Sequence, residues 1–250
     1  MIDNIVMQQV DTSKYGEQIL CPGSIAGVTV YHYGLAQGSE QLFCKDAGYW
    51  HILFVLEGST ELKYEGDTYS FSKRGCFVSA LDKDVTVFAT TDVRFIEIQW
   101  LVTPDDLEEL KTFNTVFPIV QDYATSPQYR DPWKGENMIS RTAIEQRMIP
   151  RFALGSVEAY GYDINKPHAH PQLDQFFYSF SECDMDVLID DDSVPMKGDI
   201  LMHIPLGSNH GAEVTGNRHM HYLWVDFIFG QAGLDLLDEV HIPTGRLDSL

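Results

Sequence analysis

Basic residues are scarce in this chain. Lys and Arg together number 17 against 37 Asp and Glu, a formal charge of −20 over 250 residues. A field of that sign repels phosphate backbones, so neither nucleic acid nor an anionic membrane surface is an expected partner. Long apolar runs are also missing. No window approaches the roughly 18 consecutive apolar residues of a membrane-spanning helix. The N-terminal MIDNIVMQQVDTSKYG has neither the basic start nor the apolar stretch of a secretory signal. Cysteine is sparse and scattered: Cys21, Cys44, Cys76 and Cys183 form no C-x-x-C pair, which argues against a zinc knuckle and a dithiol redox motif. Reduced thiols and a cytoplasmic location are the expectation. No G-x-S-x-G elbow, Walker loop or strand-linked G-x-G-x-x-G is present. Strands do not alternate with long helices, which argues against a doubly wound sheet.

What is present is a dense series of short strands. Apolar residues make up 44% of the chain, enough for a packed core. Runs rich in Val, Ile, Phe, Tyr and Thr, such as Ile52–Leu56, Val85–Ala89, Phe95–Leu101, Met185–Ile189 and His221–Phe229, are bounded by Gly, Asp, Ser or Pro. This pattern predicts an all-β sandwich or barrel fold. Two short helices interrupt it. Thr103 can cap a helix through Lys111, with Pro104 in its first turn and Asp105, Asp106 and Glu108 complementing the dipole. Leu234, Leu237 and Val240 have helical spacing over Ala232–Glu239. The run Asp190-Asp191-Asp192 reads as the polar tip of a hairpin.

The two halves resemble each other. Trp50–Gly58 can be laid on Asp174–Glu182, Lys73–Gly75 on Met196–Gly198, and Arg94–Leu101 on His221–Ile228, all in one order. The expected organisation is an N-terminal β unit over 1–121, a polar, proline-bearing linker over 122–140, and a C-terminal β unit over 141–250.

Chemistry concentrates in the second unit. His168 and His170 are two apart, so on a strand both imidazoles face one way and form a natural bidentate metal site. Pro171 favours a turn that returns the chain with Asp174 and Gln175, either of which can supply an oxygen ligand. His210 lies forty residues past His170 and can arrive from another strand. His219-Met220-His221 is a second H-x-H, read as one face of the penultimate strand. His221 and Asp226 are candidates for a general base or a support of the ligands if they point inward. Tyr178 is a candidate substrate contact, with Tyr160 and Arg147.

The stretch from Gly161 to His210 resembles the two sequence motifs of the cupin superfamily. The first appears as Gly161, His168-x-His170, then Asp174 or Gln175. The second appears as Pro195-x-x-Gly198-Asp199, then Pro205 and His210. The resemblance implies two tandem cupin jelly-roll barrels with a few short helices, a bicupin. The second barrel would bind one divalent transition metal (Zn, Fe, Mn, Ni or Cu) through His168, His170, His210 and one of Asp174 and Gln175. The family usually has Glu at the oxygen position. Its register selects Gln175 here, with Phe177 and Ser179 also inward, and Asp174 is the alternative. In the first barrel Cys44, Asp46 and His51 take the corresponding places, and Phe77–Val87 holds no histidine, so no full metal motif is present.

The function implied is that of a metal-dependent enzyme on a small polar molecule, such as an isomerase or lyase acting on a sugar-derived or hydroxy acid. A cupin dioxygenase, a non-catalytic sensor or storage protein, and a purely structural bicupin are the alternatives. A homodimer is expected, with Met1–Gly23 available for that contact.

Overall fold

In the computed structural model, which describes residues 5–247, the chain forms two compact β units. One comprises 10–125; the other comprises 5–9 with 126–247. The strands in chain order are β1 (Met7–Gln9), β2 (Gly16–Leu20), β3 (Val28–Leu35), β4 (Glu40–Phe43), β5 (Tyr49–Glu57), β6 (Thr60–Tyr64), β7 (Asp67–Phe71), β8 (Gly75–Val78), β9 (Val85–Ala89), β10 (Val93–Leu101) and β11 (Ile119–Asp122). Then follow β12 (Gln128–Arg130), β13 (Ile139–Ile144), β14 (Phe152–Tyr160), β15 (Asp163–His168), β16 (Leu173–Ser179), β17 (Asp184–Ile189), β18 (Asp192–Lys197), β19 (Ile200–Ile204), β20 (His210–Val214), β21 (His219–Ile228) and β22 (Ile242–Pro243). Two helices, α1 (Pro104–Leu110) and α2 (Gln231–Val240), complete the set with a 3-10 turn at Tyr123–Thr125. None of the described helices is long and apolar enough to cross a membrane.

Each unit pairs a large sheet with a four-stranded one. The 10–125 unit has the orders β11-β8-β5-β10-β3-β2 and β4-β9-β6-β7. The other has β1-β19-β16-β21-β14-β13-β12-β22 and β15-β20-β17-β18. The strands that the two sequence halves align, β5 with β16 and β10 with β21, are central neighbours in both large sheets. This is an all-β jelly-roll architecture.

Local patterning explains the strands. β9 and β17 alternate buried with partly exposed residues, the period of a sheet with one dry face. β21 is buried at all ten positions, so both of its faces are covered. The core of the second unit gathers Phe177, Met185, Val187, Tyr222, Trp224 and Leu237. That of the first gathers Tyr33, Phe43, Phe77 and Phe95, with the rings of Tyr33 and Phe95 stacked at 5.1 Å. In α1 the Thr103 hydroxyl accepts from the Asp106 N–H, and the Asp106 carboxylate accepts from the Thr103 N–H at 2.7 Å, a closed capping box.

Two segments are more ordered within the chain than their sequence suggests. Within Met1–Gly23, β1 joins the edge of β19 and β2 pairs with β3, so these backbone groups find their partners inside the chain. The stretch 122–140 carries the 3-10 turn, β12 and the start of β13. Its polar residues are used internally: Asp131 and Lys134 form a buried ion pair at 2.5 Å.

Candidate metal centre

The motif glycines set the local geometry. The turn from β18 to β19 places Gly198 at φ 31° and Asp199 at φ 55°. A Cβ on Gly198 would lie 2.8 Å from the Ser181 carbonyl oxygen, which accounts for glycine in the G-D pair. Asp199 in turn accepts from the Tyr178 hydroxyl at 3.2 Å.

The three motif histidines meet. One ring nitrogen from each of His168, His170 and His210 lies within 4.8 Å of the others. His168 ends β15 and is paired across the sheet with His210, the first residue of β20. His170 lies past the end of β15, so the two H-x-H rings converge through a loop and not through strand periodicity. A bulge between Asn165 and His168 accommodates Pro167, which has no N–H to give the ladder.

The register of β16 separates Asp174 from Gln175. Gln175 and Phe177 line the same cavity as the three imidazoles. Asp174 binds the His203 Nε2 at 2.7 Å instead, as alternation across a strand requires. Ser179 is buried and its hydroxyl accepts from the Ile200 N–H at 3.0 Å. Asp226 lies opposite Gln175 on β21 and accepts from its amide Nε2 at 2.5 Å. Thus His168, His170, Gln175, His210 and Asp226 share one cavity. Asp174, Tyr178 and His221 do not line it: Tyr178 is held at Asp199, and His221 at Glu182.

The wall also includes Tyr129, Asp131, Trp133, Lys134, Tyr222 and His241, none of them part of the sequence motifs. Trp133 stacks on His168 with centroids 4.0 Å apart and planes 3° apart. Lys134 donates to the Tyr129 hydroxyl at 2.5 Å and pairs with Asp131, both charged side chains being only 4% exposed. A large aromatic beside a lysine in a stretch otherwise read as linker was the one available signal.

Burial governs the electrostatics. It pushes His210 down to about 4 and His170 well below the usual range, with the neighbouring imidazoles adding to the effect. Burial likewise lowers His168, against the carbonyl bond that raises it. It lowers Lys134 against the opposing pull of Asp131, and raises Asp226 to about 7. Burial therefore favours the neutral imidazoles that ligation needs.

The donor set fits a divalent transition ion. His168 Nδ1 lies 2.7 Å from the Lys166 carbonyl and His210 Nδ1 lies 3.1 Å from that of Ser208. A carbonyl only accepts, so both rings carry their proton on Nδ1 and keep the Nε2 lone pair. Both nitrogens of His170 and the Oε1 of Gln175 are buried with no hydrogen-bond partner. Orphaned buried acceptors are costly, and one cation shared among these atoms removes the cost. Three imidazoles and an amide oxygen suit Zn, Fe, Mn, Ni or Cu alike.

The first unit has a different interior at the corresponding place. His51 Nδ1 lies 2.6 Å from the Glu97 carboxylate, which also accepts from Gln99 and Tyr33. Cys44 is exposed, and Asp46 accepts from the Gly48 N–H.

No protein-family model matches the sequence, and no curated protein matches it. Solved structures do. A protein from Pseudomonas aeruginosa named as glyoxylate-induced is 15% identical, with a TM-score of 0.69 over 92% of this chain and 82% of its own. A cupin 2 conserved barrel domain protein from Leptotrichia buccalis is 10% identical, with a TM-score of 0.54 over 90% of this chain and 88% of its own. The oxalate decarboxylase of Bacillus subtilis, with Mn(II) centres, is 10% identical, with a TM-score of 0.62 over 82% of this chain and 70% of its own. At such identities the likeness is one of fold, and the fold is that of cupin proteins.

Proposed function

We propose that this chain is a bicupin enzyme, metal-dependent through its second unit, that acts on a small carboxylic acid. The observation that carries this reading is the convergence of His168, His170, His210 and the orphaned Gln175 oxygen in a cavity whose wall also holds the Lys134 ammonium and the Asp226 carboxylate. A bound divalent ion supplies Lewis acidity there, polarising a carbonyl or carboxylate oxygen.

The protein's own groups supply the rest. Two of the three N–H donors of Lys134 go to Asp131 and Tyr129, and the third would bind the substrate carboxylate. Asp226 uses Oδ1 to hold Gln175, leaving Oδ2 to carry a proton to or from the substrate. Trp133 lies flat on His168 and would shield the ligand ring from bulk water. The cavity is small, about 30 Å³, which favours a small acid over a sugar-derived one. The name of one neighbour, an oxalate decarboxylase, supports the same substrate class. A wider pocket of about 580 Å³, lined by Arg130, Arg246 and Glu136, shares the wall residue Tyr129 with the cavity.

Elemental analysis and calorimetric titration with glyoxylate, glycolate and oxalate test this. His168→Ala and His210→Ala should each remove one metal equivalent and abolish acid binding. Lys134→Met should keep the metal and weaken acid binding at least about tenfold, the scale of a lost charge-assisted hydrogen bond. Unchanged metal content in both histidine variants, or unchanged acid affinity in Lys134→Met, would sink the reading.

A further inference from the structure

A second cluster of donors lies on the opposite face of the same sheet. On β21 the side chains of Met220, Tyr222 and Trp224 enter the core, so by strand alternation His219 and His221 point to the other side. Glu158 on β14 is paired directly with His221. The His219 ring stacks on Tyr160 at 3.8 Å and 13°, which fixes its orientation. Its Nε2 is buried without a hydrogen-bond partner and lies 3.5 Å from Glu158 Oε1. His221 Nδ1 lies 3.7 Å from that same oxygen and 2.6 Å from Glu182 Oε1. Arg141 engages the other Glu158 oxygen, Oε2, at 2.9 Å, which leaves Oε1 to the histidines.

We propose that Glu158, Glu182, His219 and His221 form a second metal site, for a zinc-like divalent ion. Metal bonds of about 2.1 Å in a tetrahedron hold neighbouring donor atoms roughly 3.4 Å apart. The Glu158–His219 and Glu158–His221 separations are already near that spacing. The His221–Glu182 hydrogen bond must open, the imidazole taking the tautomer protonated at Nε2. Two neutral imidazoles and two carboxylates balance the charge of a divalent ion. Four protein donors leave no open position, so the site is structural: it ties β14, β21 and the β16–β17 turn that carries Glu182. The partial exposure of Glu182, 34% for its side chain, gives an ion access.

Zinc alone is the probe, applied to a chain without the first site, His168→Ala/His170→Ala/His210→Ala. One zinc equivalent should bind by calorimetric titration, with a rise in Tm on adding zinc. Adding His219→Gln should remove both. Should circular dichroism show the triple variant unfolded, the count is made on the intact site pair: the unsubstituted protein should take two zinc ions, and His219→Gln or Glu182→Gln should take one. A folded triple variant that takes up no zinc overturns the proposal. Equal zinc counts in the unsubstituted protein, His219→Gln and Glu182→Gln overturn it too.

Discussion

The amide nitrogen of Gln175 donates to Asp226 Oδ1 at 2.5 Å from the directly paired position on the next strand. This bond commits the nitrogen end of the carboxamide and so presents the oxygen end as the ligand. Gln175→Ala should weaken metal binding at least about tenfold, the scale of losing a ligand or its support. Asp226→Asn removes the anion that orients the amide and should weaken it by a smaller factor. Asp174→Asn, at the His203 contact, should leave affinity within about twofold. Competition against a chromophoric chelator gives the ranking, and an Asp174 effect larger than that of Gln175 would contradict the assignment.

Trp133 lies flat on His168 and contributes to the cavity wall. Trp133→Ala should open the cavity to water and release the ring of His168. Metal dissociation, followed by stopped-flow with excess chelator, should speed up about tenfold, the lower end for loss of a ligand's support. An unchanged rate would show that the indole neither shields nor orients the ligand.

Gly211 follows His210, and the backbone of β15 approaches it closely. A Cβ there would lie 2.4 Å from the Asn165 carbonyl oxygen and 2.9 Å from the Pro167 nitrogen. Both obstacles are backbone, so β20 must move away from β15 and carry His210 from His168. Gly211→Ala should cost about 1–3 kcal/mol in urea unfolding of the metal-free protein and lower the metal content. Full stability and full metal content together would refute the close approach.

His32, in β3 of the first unit, is fully buried and neither ring nitrogen has a hydrogen-bond partner. Burial, helped by Arg94, pushes its pKa down to about 4. The unfolded chain takes up the proton near 6.5, and the folded chain only near 4. Stability is therefore unaffected above about pH 6.5, falls as the pH drops from there toward 4, and loses no more below it. The whole loss is about 3 kcal/mol. In His32→Leu that part of the acid destabilisation should vanish, seen as a flatter dependence of unfolding free energy on pH between 7 and 4. Parallel profiles for the two proteins would refute it.

Much of the architecture is legible along the chain because its causes are local. The alternation in Val85–Ala89 and Met185–Ile189, the glycines and aspartates that punctuate the runs, and the Thr103-Pro104 start of α1 each depend on a few neighbouring residues. β1 is too short to carry a pattern of its own. Its three residues become a strand by completing the edge of β19, a partner almost two hundred residues away.

The candidate site divides in the same way. His168, His170 and His210 stand out in the sequence because imidazoles in an ordered motif are chemically conspicuous, and period two lets only one of Asp174 and Gln175 face them. Only tertiary structure decided between them, since facing is set by the pairing of β16 with β19 and β21. Only tertiary structure brought Asp131, Trp133 and Lys134 onto the cavity and turned His221 away from it. A side chain's neighbours across a sheet or over its end are chosen by register and chain path, and neither is written in the residues that flank it.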